Sequence, residues 1–363
     1  MKIFIYNQTT WNNIYIHLIN NKRRTINIFE LEFNGNLSSF ELNENKVSYL
    51  YFSNENKFHT EIMKISPNIK KLYIRYNELT KSYMCFYEDN LSTNIVENYT
   101  LKDEKNLYYR EDKSKDIFVL KPADYDCNKQ YNLLIMIDGQ NSYNINNVGN
   151  YTTKNDPYGS WCIDESLKNL EKDYIVVGIN NAEAIRENEL MAGNSFGPIY
   201  RDLVDINFVG YIDQLDCFIN ETLLPFIYNK YNINKNTIGI GGSSCGGFAS
   251  QYLGLKNLGL YKYILCFTPA SALYQDETWK KFYKQLDFIN NQSKLPYLYF
   301  FQGKMGNLEK LLYNGNINLV NNLIECGYKK ELITEYIEPR YNHNEVAWRY
   351  VFNYFIYYID KKL

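Results

Sequence analysis

A serine stands between two glycines in the run Gly242-Ser243-Ser244-Cys245-Gly246. An apolar run precedes it and a helix-length segment follows, and this G-x-S-x-G spacing is typical of a sharp strand-to-helix turn that presents a serine hydroxyl above a sheet. The N–H of Cys245 would lie at the helix start, where the positive end of the dipole favours an oxyanion. The pattern predicts that Ser244 is a nucleophile; the alternative is a glycine-rich turn used for packing.

A serine hydroxyl needs a base to remove its proton, and histidine is the usual one. The chain has three histidines, of which His17 and His59 lie in the N-terminal region. His343 follows the last apolar run, 333–338, where the chain order serine, acid, histidine places the base. This order predicts that His343 is the general base, against the alternative of an ordinary polar loop residue.

The acid that orients the imidazole is expected on the loop after the apolar run 297–301. Glu309 is the first candidate there, and its alternative role is a helix-start carboxylate that complements the dipole. Glu345 is near His343 in sequence, but a spacing of two residues rarely gives the right approach to the ring.

A second oxyanion donor is expected from the loop after an early central strand. The run 133–137 ends at Asp138-Gly139-Gln140, and Gly139 would let the backbone N–H of Gln140 approach a reacting carbonyl. Asp138 is interpreted as a turn-capping residue.

These residues fall in a region where strand-like runs alternate with helix-length segments. Strands are predicted at 116–120, 133–137, 174–178, 237–241, 263–267, 297–301 and 333–337, and helices at 162–171, 208–230, 246–256, 276–289, 309–326 and 345–361. Near-continuous apolar strands separated by helices predict an α/β domain with a mostly parallel sheet covered on both faces. Sites in such sheets lie at the carboxyl ends of the strands.

The first hundred residues have a different period. Short runs at 2–6, 13–18, 25–29 and 71–76 alternate between apolar and polar side chains, which predicts a small antiparallel β module. The charged stretch 102–116 is interpreted as the junction. We therefore expect two domains, residues 1–100 and 101–363.

Composition narrows the class of protein. Lys and Arg number 39 against 41 Asp and Glu, so the charge balance argues against a nucleic-acid-binding surface. The seven cysteines are scattered without a C-x-x-C pair, which supports neither a disulfide framework nor a zinc site. Because apolar runs are short and the N-terminus soon turns polar, we expect a cytoplasmic protein without a membrane span. No metal or organic cofactor is expected, because a serine nucleophile with a histidine base needs none. The sequence leaves the oligomeric state open.

Residues from about 115 to 361 resemble the esterase family of α/β-hydrolases that includes enterochelin esterases, S-formylglutathione hydrolases and acetyl- or feruloyl-type carbohydrate esterases. The resemblance is carried, in order, by 135–141, Ser160-Trp161, 176–179, 223–227 with Tyr231, 242–247, and His343-Asn344-Glu345 with Trp348.

The resemblance implies an α/β-hydrolase fold after a sandwich-like β module, with Ser244 as nucleophile, His343 as base, and the N–H groups of Gln140 and Cys245 as the oxyanion hole. The family often has Met at the position of Cys245. In the family, the acid commonly lies three residues after a glycine equivalent to Gly303, and this chain has Gly306 at that position. Either Glu309 takes that role after a small loop shift, or the enzyme works as a Ser-His dyad.

The resemblance also implies a serine carboxylic-ester hydrolase that forms an acyl-enzyme. An acylated carbohydrate or similar small ester is the first expectation for the substrate, and a siderophore trilactone is the second. Trp161 and Arg186 are expected to contact substrate, and Arg201 and Arg340 are also eligible for an anionic siderophore. The loop 181–208 is the predicted lid.

Three alternatives stay open. Cys245 would be the nucleophile if the elbow were shifted by one residue. A chain that had lost catalysis would be a glycan-binding protein of hydrolase fold. In the β module, Trp11 with Tyr6 and Tyr15 would form either a platform for a sugar ring, a lid over the site, or ordinary core packing.

Overall fold

The computed structural model describes residues 1–22, 24–42, 46–55, 58–60, 62–65, 69–77, 82–86, 94–143, 160–167, 170–193, 196–197 and 208–363. The chain divides into two units. The N-terminal unit comprises Met1–Thr93, Tyr143–Glu171 and Trp348–Leu363, and the α/β unit comprises Asn94–Ser142 and Lys172–Ala347. The division thus differs from a cut at residue 100, because two later segments group with the first ninety-three residues.

The N-terminal unit contains two four-stranded sheets, ordered β4-β1-β7-β8 and β3-β2-β5-β6. Alternation buries one face of each sheet, as at Ile3 and Ile5 of β1 and Leu50 and Phe52 of β5. The pair β1–β7 is parallel, so the module is not wholly antiparallel as predicted. The strands are β1 Lys2–Asn7, β2 Tyr15–Ile19, β3 Thr25–Glu30, β4 Leu37–Glu41, β5 Tyr49–Ser53, β6 Met63–Lys64, β7 Lys71–Asn77 and β8 Ser82–Phe86.

The α/β unit is built on an eight-stranded sheet, ordered β16-β15-β14-β13-β11-β12-β10-β9. The six strands β11 to β16 are mutually parallel, and β10 runs antiparallel to both of its neighbours. All seven predicted strands are present, and β9, which spans residue 100, is additional. The strands are β9 Ile95–Lys102, β10 Ser114–Lys121, β11 Tyr131–Ile137, β12 Tyr174–Ile179, β13 Ile233–Ser243, β14 Tyr263–Phe267, β15 Tyr297–Gly303 and β16 Ile333–Glu338.

Helices follow most of these strands, close to their predicted positions. A π-helical segment, Ile219–Leu223, joins α3 to α4 into one continuous helical stretch where a single helix is predicted. The short helix α2 is not predicted. The helices are α1 Ile163–Leu167, α2 Arg186–Leu190, α3 Ile212–Phe218, α4 Leu224–Lys230, α5 Cys245–Lys256, α6 Asp276–Leu286, α7 Asn307–Glu325 and α8 Glu345–Lys362. Within the described ranges, none of them is long and apolar enough to cross a lipid bilayer.

The sheet brings the predicted site residues to one edge. Every residue of β11, β12 and β14 is buried, which is the pattern of parallel strands covered on both faces. Because β11, β13, β15 and β16 are parallel, their carboxyl ends lie at the same edge of the sheet. The turns that carry Asp138 and Ser244, the loop that carries His343, and the connection into α7, which carries Glu309, all begin at this edge.

Candidate active site

Ser244 occupies a strained turn between β13 and α5. Its backbone has φ 56° and ψ −122°, a conformation that residues with a side chain rarely adopt. The turn requires close contact between strand and helix, since a Cβ on Gly242 would lie 2.5 Å from the carbonyl oxygen of Gly246. The half-buried Ser244 is thus displayed at the helix start, in the geometry that the G-x-S-x-G pattern predicts.

The loop after β14 holds this turn in place. The N–H of Ser244 donates to the carbonyl of Phe267 at 3.0 Å, and the N–H of Ala270 donates to the carbonyl of Ser244 at 2.9 Å. Hydrogen bonds at both the N–H and the carbonyl of Ser244 therefore support its strained backbone. A strained conformation persists only when the surrounding structure holds it in this way.

His343 lies on the loop after β16 and contacts Glu309. Its Nδ1 is 3.2 Å from Oε1 of Glu309, whose side chain is fully buried. Glu309 is the third residue of α7, and Gly306 precedes that helix with φ 85°. Glu309 lies about one helical turn after Gly306. Its carboxylate therefore reaches the imidazole from the helix and not from the loop before it.

The approach of Glu309 depends on the lack of a side chain at Gly303. A Cβ there would lie 2.5 Å from the carbonyl oxygen of Tyr341 and 3.0 Å from the carboxyl carbon of Glu309. Gly303 therefore lets the end of β15 pack against both the carboxylate and the loop that carries the histidine.

A buried amide network fixes the Glu309 carboxylate. The side-chain amide of Gln302 donates to Oε2 of Glu309, and Asn316 donates to Oε1 of Gln302 at 2.7 Å. Asn316 also lies 2.9 Å from the carbonyl oxygen of Pro269, next to the residue that holds the Ser244 carbonyl. All three polar side chains are fully buried. The network thus links Glu309 to the loop that supports the turn of Ser244.

Sequence reasoning missed this network. A signal for it is nonetheless present, because Asn316 falls at the helical spacing of Leu312 and Val320 on the buried face of α7. A polar side chain at such a position needs a buried partner.

Asp138 lies at the start of the turn Gly139–Asn141, with φ 59°. Its side chain makes no capping hydrogen bond, which differs from the predicted turn-capping role. The carboxylate instead accepts hydrogen bonds from Nε and Nη2 of Arg186, at 2.7 and 2.6 Å, and from Nδ2 of Asn181, at 2.7 Å. This bidentate pair anchors the turn that carries Gln140.

The two predicted oxyanion donors are both at helix starts. Cys245 is the first residue of α5, and Gln140 is the second residue of the short 3₁₀ helix Gly139–Asn141. N–H groups in a first helical turn have no acceptor within their own helix, so they are suited to bind an oxyanion. The Gln140 side chain is occupied elsewhere, because its Oε1 accepts from the N–H of Asn181 at 3.2 Å.

Glu345 is a buried carboxyl group near this turn. Its Oε1 lies 3.3 Å from Nδ2 of Asn141, and the residue is 7% exposed. Burial raises the pKa of Glu345 to about 7, and the negative charge of Asp138 adds to the increase. The positive charge of Arg186 acts to lower the pKa of Glu345. Glu345 therefore contacts Asn141, whereas Glu309 contacts the ring of His343.

The thiol of Cys245 differs from the Ser244 hydroxyl in its surroundings. Cys245 is 8% exposed and belongs to the apolar core of the α/β unit. Burial raises the pKa of this thiol, which disfavours the reactive thiolate.

The residues predicted to contact substrate differ in their burial and in their partners. Trp161 is buried in the N-terminal unit against Trp348, with ring centroids 5.8 Å apart. Arg186 is paired with Asp138, and Arg340 donates to Glu338 at 3.0 Å. Arg201 lies outside the described residues, as do 194–195 and 198–207 of the predicted lid. Among the residues that are described, no three His, Cys, Asp or Glu side chains come together to hold a metal ion.

Solved structures share this fold at low sequence identity. A ferulic acid esterase aligns with a TM-score of 0.51 at 13% identity, over 74% of this chain and 99% of that chain. The siderophore hydrolase EstA from Aspergillus nidulans aligns with a TM-score of 0.52 at 15% identity, over 73% and 94%. An IroE-like serine hydrolase from Shewanella oneidensis gives 0.51 at 13% identity, over 73% and 80%.

Comparison with curated protein sequences found no match. The family model described as Putative esterase matches residues 112–354, which is more than half of the chain. The turn of Ser244, the ring of His343 and the carboxylate of Glu309 all lie at the carboxyl edge of the sheet. The match of the family model shows that the chain belongs to the Putative esterase family.

Proposed function

We propose that this chain is a serine carboxylic-ester hydrolase that works through an acyl-enzyme. The observation that supports this most directly is the contact between His343 and the buried carboxylate of Glu309. Both lie at the sheet edge where the strained turn displays Ser244. A carboxylate on Nδ1 keeps the proton on that nitrogen, which leaves Nε2 free of a proton and able to act as a base.

In the first half of the reaction, the Ser244 oxygen attacks the ester carbonyl carbon and its proton passes to Nε2 of His343. The carbonyl oxygen becomes an oxyanion, which the N–H groups of Gln140 and Cys245 stabilise. Collapse of this intermediate breaks the ester bond. The alcohol leaves with the proton from His343, and the acyl group stays on Ser244.

In the second half, His343 takes a proton from water as the water oxygen attacks the acyl carbon. The same two N–H groups bind the second oxyanion. Collapse returns the proton to the Ser244 oxygen and releases the carboxylic acid. These steps use the side chains of Ser244 and His343, the two backbone N–H groups and one water molecule.

For the substrate we propose an acylated carbohydrate or a similar small ester. One structural neighbour is named a ferulic acid esterase, which fits this choice. A siderophore trilactone is the second candidate, since another neighbour is named a siderophore hydrolase. An anionic siderophore needs cationic side chains, yet Arg186 and Arg340 both pair with carboxylates, which favours the first candidate.

A binding protein without catalysis is less well supported. That alternative rests on the lack of a carboxylate at Gly306, and Glu309 supplies a carboxylate one helical turn later.

Hydrolysis of p-nitrophenyl butyrate by Ser244→Ala and Cys245→Ser tests the proposal. We expect Ser244→Ala to lose at least about a thousandfold in kcat, because no other group can form the acyl-enzyme. Cys245→Ser should stay within a few-fold of the wild type, because only its backbone N–H takes part. Retained activity in Ser244→Ala, or its loss in Cys245→Ser alone, would refute the serine assignment.

The substrate class is tested with the same purified protein. Rates on methyl ferulate and on acetylated xylobiose are compared with the rate on enterobactin. A higher kcat/KM for the first two supports a carbohydrate ester, and a higher value for enterobactin supports the trilactone.

A further inference from the structure

A cleft in the N-terminal unit combines aromatic faces with amide side chains. Its volume is about 230 Å³, and we call it the Trp11 cleft. The residues that line it include Trp11, Asn12, Asn54, Glu55, Phe58 and Tyr83. They come from three separate parts of the chain, so the fold of this unit assembles the cleft.

The aromatic wall is built around Tyr83. The ring of Trp11 lies 4.3 Å from that of Tyr83, centroid to centroid, and the Phe58 ring lies 5.9 Å from it. Trp11 is 6% exposed, whereas Phe58 is 56% exposed. Trp11 therefore forms the base of the wall, and Phe58 presents an apolar face to solvent.

The loops that carry these rings are held by their own hydrogen bonds. Oγ1 of Thr9 accepts from the N–H of Trp11 at 3.0 Å, and Nδ2 of Asn7 donates to the Trp11 carbonyl at 3.0 Å. On the other side, Oδ1 of Asn54 accepts from the N–H of Phe58 at 3.0 Å.

The chemistry of the lining indicates the class of ligand. An aromatic face with amides at its rim suits a ligand that has both apolar C–H faces and hydroxyl groups, since the face packs against the former and the amides bond to the latter. The described residues that line the cleft include no Lys or Arg, and Glu55 is the one charged side chain among them. Glu55 is exposed and adds an acceptor for hydroxyl groups.

We propose that the Trp11 cleft binds a neutral saccharide, with one sugar ring packed against the exposed ring of Phe58. The cleft is smaller than the roughly 300 Å³ at which pockets for drug-sized ligands begin, so it suits one sugar unit of a longer chain. Occupation of the cleft does not depend on the proposed esterase activity. It would tether the chain to a saccharide whether or not that saccharide is hydrolysed.

Calorimetric titration of the full chain tests this proposal. The probes are cellohexaose, xylohexaose, maltohexaose and mannohexaose, with choline as a cationic probe that also suits aromatic faces. We expect at least one hexasaccharide to bind and choline not to bind. Phe58→Ala should weaken saccharide binding about tenfold, since an exposed ring can be removed without opening the core.

Ile28→Ala is the matched control, because Ile28 lies in the same unit and is 53% exposed. It should bind the hexasaccharide as the wild type does. The proposal is overturned if no hexasaccharide binds, if Phe58→Ala binds as tightly as the wild type, or if choline binds and Glu55→Gln abolishes that binding. None of these results depends on whether p-nitrophenyl butyrate is hydrolysed.

Discussion

The Nδ1 atom of His343 lies 3.2 Å from Oε1 of Glu309, and the two residues are 34 positions apart in the chain. The carboxylate comes from the first turn of α7 and not from the loop before it, where Gly306 stands. The side-chain amide of Gln302 donates to the carboxylate, and Asn316 in turn donates to Gln302. Glu309 therefore belongs to a buried network. Under the proposed mechanism, loss of Glu309 should lower activity, and loss of Gln302 or Asn316 should lower both activity and stability.

Glu309→Gln should lower kcat about 10²- to 10⁴-fold and leave KM nearly unchanged. The amide no longer stabilises the imidazolium and disturbs the tautomer that leaves Nε2 able to accept a proton. Steady-state kinetics on p-nitrophenyl butyrate measure this, with the exposed Glu331→Gln as the control. A fall of less than about fivefold would mean that the enzyme works as a Ser-His dyad.

Asn316→Ala should destabilise the α/β unit by about 2 to 3 kcal/mol, because the carbonyl of Pro269 and Oε1 of Gln302 both lose a buried donor. We expect kcat to fall as well, since the Glu309 carboxylate loses its support. Urea unfolding measures the stability change. Asn314→Ala, on the exposed face of the same helix, should stay within about 0.5 kcal/mol of the wild type. Equal stability of the two variants would contradict the network.

Glu345 should make stability depend on pH. Its pKa is raised from 4.5 to about 7 in the folded chain, so the folded state binds the proton more tightly than the unfolded state. This contribution is fully present below about pH 4.5 and is lost as pH rises through about 7. Between pH 5 and pH 8 the wild type should therefore lose roughly 2 to 3 kcal/mol relative to Glu345→Gln.

The measurement is urea unfolding of both proteins across that pH range, and the other titrating groups cancel in the difference. Parallel pH profiles for the wild type and Glu345→Gln would show that Glu345 is ionised in the folded chain. A difference of opposite sign would require a lowered pKa instead.

Arg186→Met should destabilise the chain by about 3 to 5 kcal/mol, because the buried carboxylate of Asp138 loses its bidentate partner. Asp138→Asn in the same protein should restore part of the loss, since the uncompensated charge is gone. A double-mutant cycle measured by urea unfolding gives the coupling between the two residues. If Arg186 instead serves mainly to bind substrate, Arg186→Met will raise KM and leave the free energy of unfolding unchanged.

Much of the α/β unit could be predicted because its signals are local. The apolar runs predict all six parallel strands, and the short pattern around Ser244 predicts a turn whose strain the structure then displays. The location of His343 on the loop after the last strand follows from the order of the strands alone. These features depend on a few adjacent residues or on chain order, which a sequence displays directly.

The remaining features depend on contacts between distant residues. Asp138 has its partner Arg186 in α2, and Glu309 has its partner Gln302 at the end of β15, so no local pattern predicts either contact. In the N-terminal unit, β4 reads Leu37-Ser38-Ser39-Phe40-Glu41, which is too polar to stand out as a strand. The parallel pairing of β1 with β7 likewise joins segments about seventy residues apart.

Labelling with a fluorophosphonate probe, followed by peptide mapping, tests the central claim most directly. The probe phosphonylates only an activated serine, so wild type and Cys245→Ser should both be modified at Ser244, and folded His343→Ala should not. Modification that persists at the wild-type rate in His343→Ala would contradict the role of the base. No labelling of the folded wild type would contradict the serine hydrolase account itself.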